Sequence, residues 1–493
     1  MSNRHDPDGR RLPIKLDTTT NGEFAPIPLE AVHREANALA AATAGVNAER
    51  LGLPRRSFLV SAAGAATTLL AMNVAYARNA GPDGRGGFYE LPKESALEMP
   101  VARSALDGNE FIFDVQGHFV NPTGAWTKSL PPNARPLQMP KTAACGATQA
   151  TKGPGQLDYL ECIGADEFVK DVFLDSDTDL MVLSFVPSTK AGEPLKIEEA
   201  AATARIVEKL DGTHRLFIHG RVNPNQKGDM EGMDALAASY PIAAWKTYTQ
   251  WGPDGKGFFL DDDVGIAFIE KARKLGVKNI AVHKGLPFGP RSYEHSTCVD
   301  VGRVAKRFPD VNFLIYHSGF VAARKEAAYD TKRTDGIDAL VTSLADNGIK
   351  ANANVYAELG STWRYLMRDP DAAAHALGKL CKHVGADNVL WGTDSIWYGS
   401  PQDQIQAFRA FQIAPALRDA HGYPEMTAAL RAKIFGLNAL KIYPVADDVL
   451  KTHLKKDAVS NKRAEYRERP DPSFVTYGPK TRREFLNLKG WES

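Results

Sequence analysis

The chain predicts a (β/α)8 barrel, and three observations carry that prediction. From about residue 110 onward, short runs rich in Val, Ile, Phe and Tyr alternate with amphipathic stretches of helical length. Such alternation implies parallel strands joined by right-handed crossovers, and eight units of it can be read along the chain. Coordinating side chains recur at the carboxyl ends of the apolar runs, the face on which barrel enzymes assemble their sites. An open doubly wound sheet is the alternative, but the glycine-rich turn that binds a dinucleotide after its first strand is missing.

The first run, 111–119 (FIFDVQGHF), is a buried strand whose far end is polar. Side chains alternate faces along a strand, so Gln116 and His118 point the same way. The other runs are 180–186, 216–222, 243–251, 279–283, 311–317, 353–359 and 389–394, with helices expected at 197–210, 264–275, 298–307 and 372–384. His118 then ends the first strand, His283 the fifth, His317 the sixth and Asp394 the eighth. Four coordinating residues at four separate carboxyl ends favour one shared site over coincidence. The stretch 121–179 is too long for a plain crossover and rich in Pro, Gly and Thr, so it reads as an insertion over the barrel mouth.

Composition sets the outer limits. The chain has 493 residues, 43% hydrophobic content and a net charge of +1, an ordinary globular balance with no electrostatic footprint for nucleic acid. Before the barrel, residues 1–77 read as a flexible amino terminus with one Ala-rich helix near 29–42. They end in a twin-arginine export signal: Arg55-Arg56, then an Ala/Gly/Leu-rich run to Ala75-Tyr76-Ala77. A surface helix that happens to contain two arginines is the plainer alternative. Export would make the export machinery a partner and the periplasm the destination. Residues 78–110 are a lead-in, 111–445 the barrel, and 446–493 a charged tail expected to wrap the barrel or a neighbouring subunit of a homodimer. Cys145 and Cys162 could bridge a loop in an oxidising compartment, although buried free thiols are the leading expectation for all four cysteines.

With Asp114-Val115-Gln116-Gly117-His118, His283, Tyr316-His317-Ser318-Gly319, Trp391-Gly392-Thr393-Asp394-Ser395 and the closing 434–443 (IFGLNALKIY), the chain resembles the amidohydrolase-related family. That branch includes hydrolases and decarboxylases. The resemblance implies one divalent metal ion, with zinc the expected ion. It implies His118, His283 and Asp394 as ligands, His317 as the acid/base or carbonyl polariser, and Asp394 as the group that also manages protons. Gln116 stands where a member of the family carries a ligand His, and an amide oxygen is a weaker zinc donor than imidazole. The ion could therefore be held by three residues and water, be weakly bound, differ in identity, or be absent.

Lys246, at the end of the fourth strand, reads as a partner for a substrate carboxylate or as a structural cation, with carbamylation the lesser alternative. Tyr248, Trp251, Trp363 and Trp397 are candidates for an aromatic pocket, with Tyr248 and Trp397 expected to touch the substrate, and core packing explains several of them equally well. His219 and Glu358 are further candidates for lining. The function read from these residues is hydrolysis of a C–N or C–O bond in a small molecule by metal-activated water. Non-oxidative decarboxylation of an aromatic or unsaturated acid is the alternative, and a binding protein with a decayed metal site a third reading.

Overall fold

The computed structural model describes residues 10–80, 86–129, 159–211, 215–252, 255–287 and 292–488. Eight parallel strands form one sheet in sequential order: β1 (Phe113–Gly117), β2 (Leu180–Leu183), β3 (Leu216–Arg221), β4 (Ile242–Tyr248), β5 (Asn279–His283), β6 (Asn312–Tyr316), β7 (Val355–Glu358) and β8 (Val389–Leu390). Each lies where an apolar run was read, trimmed at its ends where polar residues turn into the loops.

The sheet closes on itself through backbone hydrogen bonds between β1 and the chain leaving β8. Val115 N donates to Trp391 O at 3.0 Å, Asp394 N to Gln116 O at 3.0 Å, and His118 N to Ser395 O at 2.5 Å. The protein is an eight-stranded α/β barrel. Its helices include Ile197–Asp211, Asp263–Lys274, Val301–Arg307 and Pro370–Lys379. In the second of these, Ile266, Phe268, Ile269 and Ala272 are buried while its lysines and arginine sit in the last turn, where the helix dipole favours cations.

The amino-terminal segment departs from the flexible lead expected of it. Residues 31–78 form α1 (Ala31–Arg50), α2 (Arg55–Val60) and α3 (Ala62–Arg78). Small residues bring α1 and α3 together: Ala36, Ala40, Ala44, Ala63 and Ala66 are almost wholly buried. A Cβ on Gly64 would lie 2.6 Å from Phe58 O, so only glycine admits the close turn between α2 and α3. The Ala/Gly run read as a signal core is thus also a helix-packing surface. Arg55 donates to Ala41 O at 2.7 Å, and the Arg56 guanidinium lies 4.7 Å from the Phe474 ring. No helix among the described residues is long and apolar enough to cross a membrane.

Before α1, residues 11–24 run as an extended strap across the carboxyl face of the barrel. Lys15 Nζ donates to Tyr398 O at 2.8 Å and Ser400 O at 2.6 Å. Arg364 donates to Lys15 O and, at 2.8 Å, to Asp17 Oδ1. The carboxyl-terminal tail lies over the same face: Tyr477 N donates to Trp397 O at 2.7 Å, Thr20 N to Pro479 O at 3.0 Å, and Thr19 Oγ1 to Thr476 Oγ1 at 2.7 Å. Cys298 and Cys381 are buried free thiols, but Cys162 is disulfide-bonded, against the leading expectation; Cys145 lies outside the described residues, as do residues 130–158 of the mouth insertion.

Arg364 is the buried clamp of the strap, so Arg364→Ala should expose it. Leaving the Lys15 carbonyl without its donor and Asp17 without its buried cation costs about 1–3 kcal/mol. Limited proteolysis should then cut within residues 11–24 faster than in the parent while circular dichroism of the barrel is unchanged. An unaltered cleavage rate would show that the strap is held elsewhere.

Candidate active site

The carboxyl face gathers the coordinating residues at the seam of the barrel. Asp114 begins the construction from below: its carboxylate accepts from Gln116 N and Thr393 N, each at 3.1 Å, and from the Thr393 hydroxyl. This fixes the two segments that carry Gln116, His118 and Asp394 into the site. His118 Nε2 and Asp394 Oδ1 are 3.1 Å apart, and Gln116 Nε2 donates to the same oxygen at 3.1 Å. Asp394 Oδ2 accepts from Ser361 Oγ at 2.5 Å. Burial alone would raise the pKa of Asp394, but the hydrogen bond and charge of His118, then the charge of His317 and the Ser361 hydroxyl, hold it well below the usual carboxylate range.

His317 leaves β6 in a left-handed conformation, φ 66°, and Ser361 and Asp394 are likewise at φ 53° and 57°. Non-glycine residues adopt this region at a cost, and three of them around one cluster mark a site where position outweighs backbone comfort. His317 Nδ1 donates to Gly360 O at 2.6 Å. That contact leaves Nε2 with its lone pair, buried and without a hydrogen bond. A ring held through one nitrogen by a carbonyl, with the other bare, is the usual state of a metal-bound histidine. A Cβ at Gly360 would lie 2.2 Å from Gln116 Oε1, so this close approach also requires glycine. His283 stacks on Tyr248 at 4.9 Å and meets the His317 ring edge-on at 4.4 Å. Burial depresses both imidazoles, reinforced at His317 by the charge of Lys246 and at His283 by His317 and Lys246, His317 to about 4 and His283 well below its ordinary value. Both are neutral donors at physiological pH.

The third member of this group comes from the strap. Glu23 Oε1 is 3.4 Å from His283 Nδ1, and Glu23 Oε2 is 3.9 Å from His317 Nε2. Glu23, His283 and His317 each offer a ligand atom, all within 4.8 Å of one another. Two neutral imidazoles and a carboxylate fit a divalent ion. Asn21 ties the halves of the site together, donating to Glu23 Oε2 at 2.5 Å and to Asp394 Oδ2 at 2.8 Å. The division read from the sequence, with His118, His283 and Asp394 as ligands and His317 apart, differs from this grouping. Here His317 shares a candidate site with His283, while His118 and Asp394 pair beside it. Glu23 and Asn21 were invisible in the sequence. The Asn21-Gly22 turn signal was there, and Gly22 does take φ 90°, but nothing local ties that turn to a barrel far along the chain.

Lys246 is buried, its ammonium 3.9 Å from the Tyr316 ring and 4.7 Å from the Tyr248 ring, with no hydrogen bond. Burial lowers its pKa to about 8, against the pull of Glu23, Glu358 and Asp394. Glu358 accepts from His317 N at 3.0 Å and Gly360 N at 2.5 Å, and burial pushes it up to about 8. Trp397 lies 6.2 Å from the His118 ring. His219 is a satisfied interior histidine, within hydrogen-bond reach of Ser184 and Tyr443, and Trp363 packs into the outer core against Phe408 and Phe411. A narrow opening reaches His118 between Phe119, Ser184, Phe185, Leu195 and Arg221.

A family profile described as amidohydrolase matches residues 114–445, the span of the barrel. The chain belongs to the amidohydrolase family. Amidohydrolase-family enzymes use a divalent metal, consistent with the candidate site. Similar solved structures include an uncharacterized TIM-barrel protein from Bordetella bronchiseptica (14% identity, TM-score 0.40, covering 67% of this chain and 98% of that one). Others are 5-carboxyvanillate decarboxylase from Sphingomonas paucimobilis (12%, 0.41, 69% and 100%) and 2,6-dihydroxybenzoate decarboxylase from Rhizobium (15%, 0.38, 68% and 98%). No curated protein matches the chain.

Two outcomes follow from the paired imidazoles. The folded pKa of His317 is depressed below its unfolded value, so its contribution to stability is complete above about pH 6.5 and is lost as pH falls toward about 4. The unfolding free energy of the metal-stripped protein, from urea titrations, should fall through that window by up to about 3 kcal/mol from this group. His317→Asn should flatten the slope, and an unchanged slope would discount the buried neutral imidazole. Separately, His283→Ala and His317→Ala should both lose bound metal on elemental analysis. Retention by His317→Ala alone would restore the division read from the sequence.

Proposed function

We propose that this protein is a metal-dependent, non-oxidative carboxy-lyase acting on a small aromatic or unsaturated acid. Lys246 is the observation that carries the proposal. A buried ammonium between two tyrosine rings, making no hydrogen bond and facing the histidine and carboxylate cluster, is suited to a substrate carboxylate. The family alone does not choose between breaking a C–C bond and hydrolysis; a cation placed to hold a carboxylate favours the former.

A divalent ion, with zinc the expected one for a His₂Glu donor set, supplies positive charge for a substrate oxygen. The remaining work belongs to the chain. Lys246 orients the carboxylate, and Tyr248 and Trp397 flank the acid. The 3.1 Å His118–Asp394 pair moves the proton. Asp394, ionised at rest, takes a proton by way of His118 from the cleft and passes it to the carbon that bears the carboxylate. The C–C bond then breaks, its electron pair returns to the substrate, and carbon dioxide leaves, so each turnover consumes one proton. Hydrolysis is the second reading, favoured by the same ionised Asp394, which could instead accept a proton from water.

A panel of aromatic and unsaturated acids, esters and amides, screened for carbon dioxide and for hydrolysis products, decides between them. Release of carbon dioxide is the expected result, and hydrolysis without it would overturn the carboxy-lyase assignment. On the active acid, Lys246→Met should raise KM on the order of 100-fold, the effect of losing one buried charge partner. An unaltered KM would remove Lys246 from substrate binding.

A further inference from the structure

We infer that Glu23, carried by the amino-terminal strap, is a metal ligand that takes over the donor role given up at position 116. The inference rests on the metal-dependent reading above and adds a residue that lies outside the segment matched by the family, 114–445.

Four observations support it. First, the side chain at 116 is tied to its neighbours through its amide nitrogen, which also lies 3.3 Å from His118 Nε2. Its amide nitrogen donates to Asp394 Oδ1, and its oxygen is buried against Gly360 without a hydrogen bond. Second, a carboxylate arrives from elsewhere in the chain. Glu23 places an oxygen 3.4 Å from His283 Nδ1 and the other 3.9 Å from His317 Nε2, spacings that leave room for an ion between the donors. Third, the Glu23 carboxylate is fixed rather than trailing in solvent. Asn21 donates to it and to Asp394, and the turn at Gly22 is braced by Gly22 N donating to Thr20 Oγ1 at 3.1 Å. The backbone on either side is pinned, by Tyr365 donating to Thr19 O at 3.1 Å and by Phe24 packing edge-on against Tyr365 at 5.0 Å. Fourth, the charges balance. Gln116 is a neutral amide and His283 and His317 are neutral rings, so Glu23 brings beside them the anion that a divalent cation favours. The centre is thereby assembled from two parts of the chain, the barrel and a strap laid across it.

The test is zinc affinity, measured on chelator-stripped full-length protein by competition with a chromophoric chelator. Glu23→Gln keeps the shape of the side chain and its hydrogen bonding while removing the charge. It should raise the zinc Kd by about 100-fold or more, since losing even a supporting partner costs about 10–100-fold. Gln116→Glu added to that variant should recover at least about 10-fold, because a carboxylate is then supplied from the first strand instead. Should Glu23→Gln fail to fold, Glu23→Asp keeps the charge but draws it back by one methylene, and the same weakening in reduced degree is expected. Equal zinc affinity in parent and Glu23 variants overturns the inference and leaves the metal-dependent reading standing. If the variants also bind the substrate acid more tightly at unchanged metal affinity, Glu23 is a plug and the ligand assignment is wrong. A parent that binds neither zinc nor manganese removes the metal reading and this inference with it.

Discussion

Barrel closure and site construction are the same event in this protein. The seam where β1 meets the chain leaving β8 is held by backbone hydrogen bonds from Val115, His118 and Asp394, and by a buried Asp114 that grips Thr393 and Gln116 together. Those bonds close the ring of strands, and the same bonds fix the separation of His118 from Asp394. A shift of one residue at the seam would turn His118 and Gln116 to the opposite face and dissolve the cluster. Of the residues with left-handed backbone around the cluster, Asp394 lies on the seam itself, and His317 and Ser361 are held by the hydrogen bonds that bring them to it.

The electrostatic consequence is a dense and dry group of charges. Asp394, Glu358 and Lys246 are buried together with His118, His283 and His317. Desolvation pushes each toward its neutral form, and the local partners decide which groups resist. Asp394 resists, with His118, His317 and Ser361 beside it, whereas Glu358 and Lys246 are pushed toward neutrality. The imidazoles of His283 and His317 yield as well. A region like this is costly to maintain in a folded protein without a cation or substrate to reward it, which is why it reads as a working centre rather than a structural network.

Most of the barrel was legible because its strands are unambiguous. Runs such as 279–283 and 311–317 are too apolar to sit anywhere but between sheet and helices, and a coordinating residue at the end of each marks the catalytic face. The helix starts slipped by a few residues, as cap positions do. What sequence could not give was the company each histidine keeps. His317 Nδ1 is committed to a carbonyl contributed by Gly360, on a different loop, and that single contact recasts it from a catalyst into a candidate ligand. The amino-terminal segment was obscured for a different reason. A run of alanines, glycines and leucines meets the needs of an export signal and of close helix packing alike, and only the partner helix, α1, discloses the second use. If the chain were cut after Ala77, the strap would depart and Glu23 and Asn21 with it, so the export expectation and the completed site agree only for an uncut chain.

The strap also sets an order of assembly. Its residues are synthesised early, but several that fasten it belong to the far end of the chain: Thr20 is held by Pro479, and Thr19 by Thr476. The barrel can therefore gain all eight strands, and the strap its contacts with Arg364 and Tyr365, while the contacts with the tail are still to form. The strap is thus fastened in two stages, first by residues that emerge with the barrel and then by the carboxyl-terminal tail.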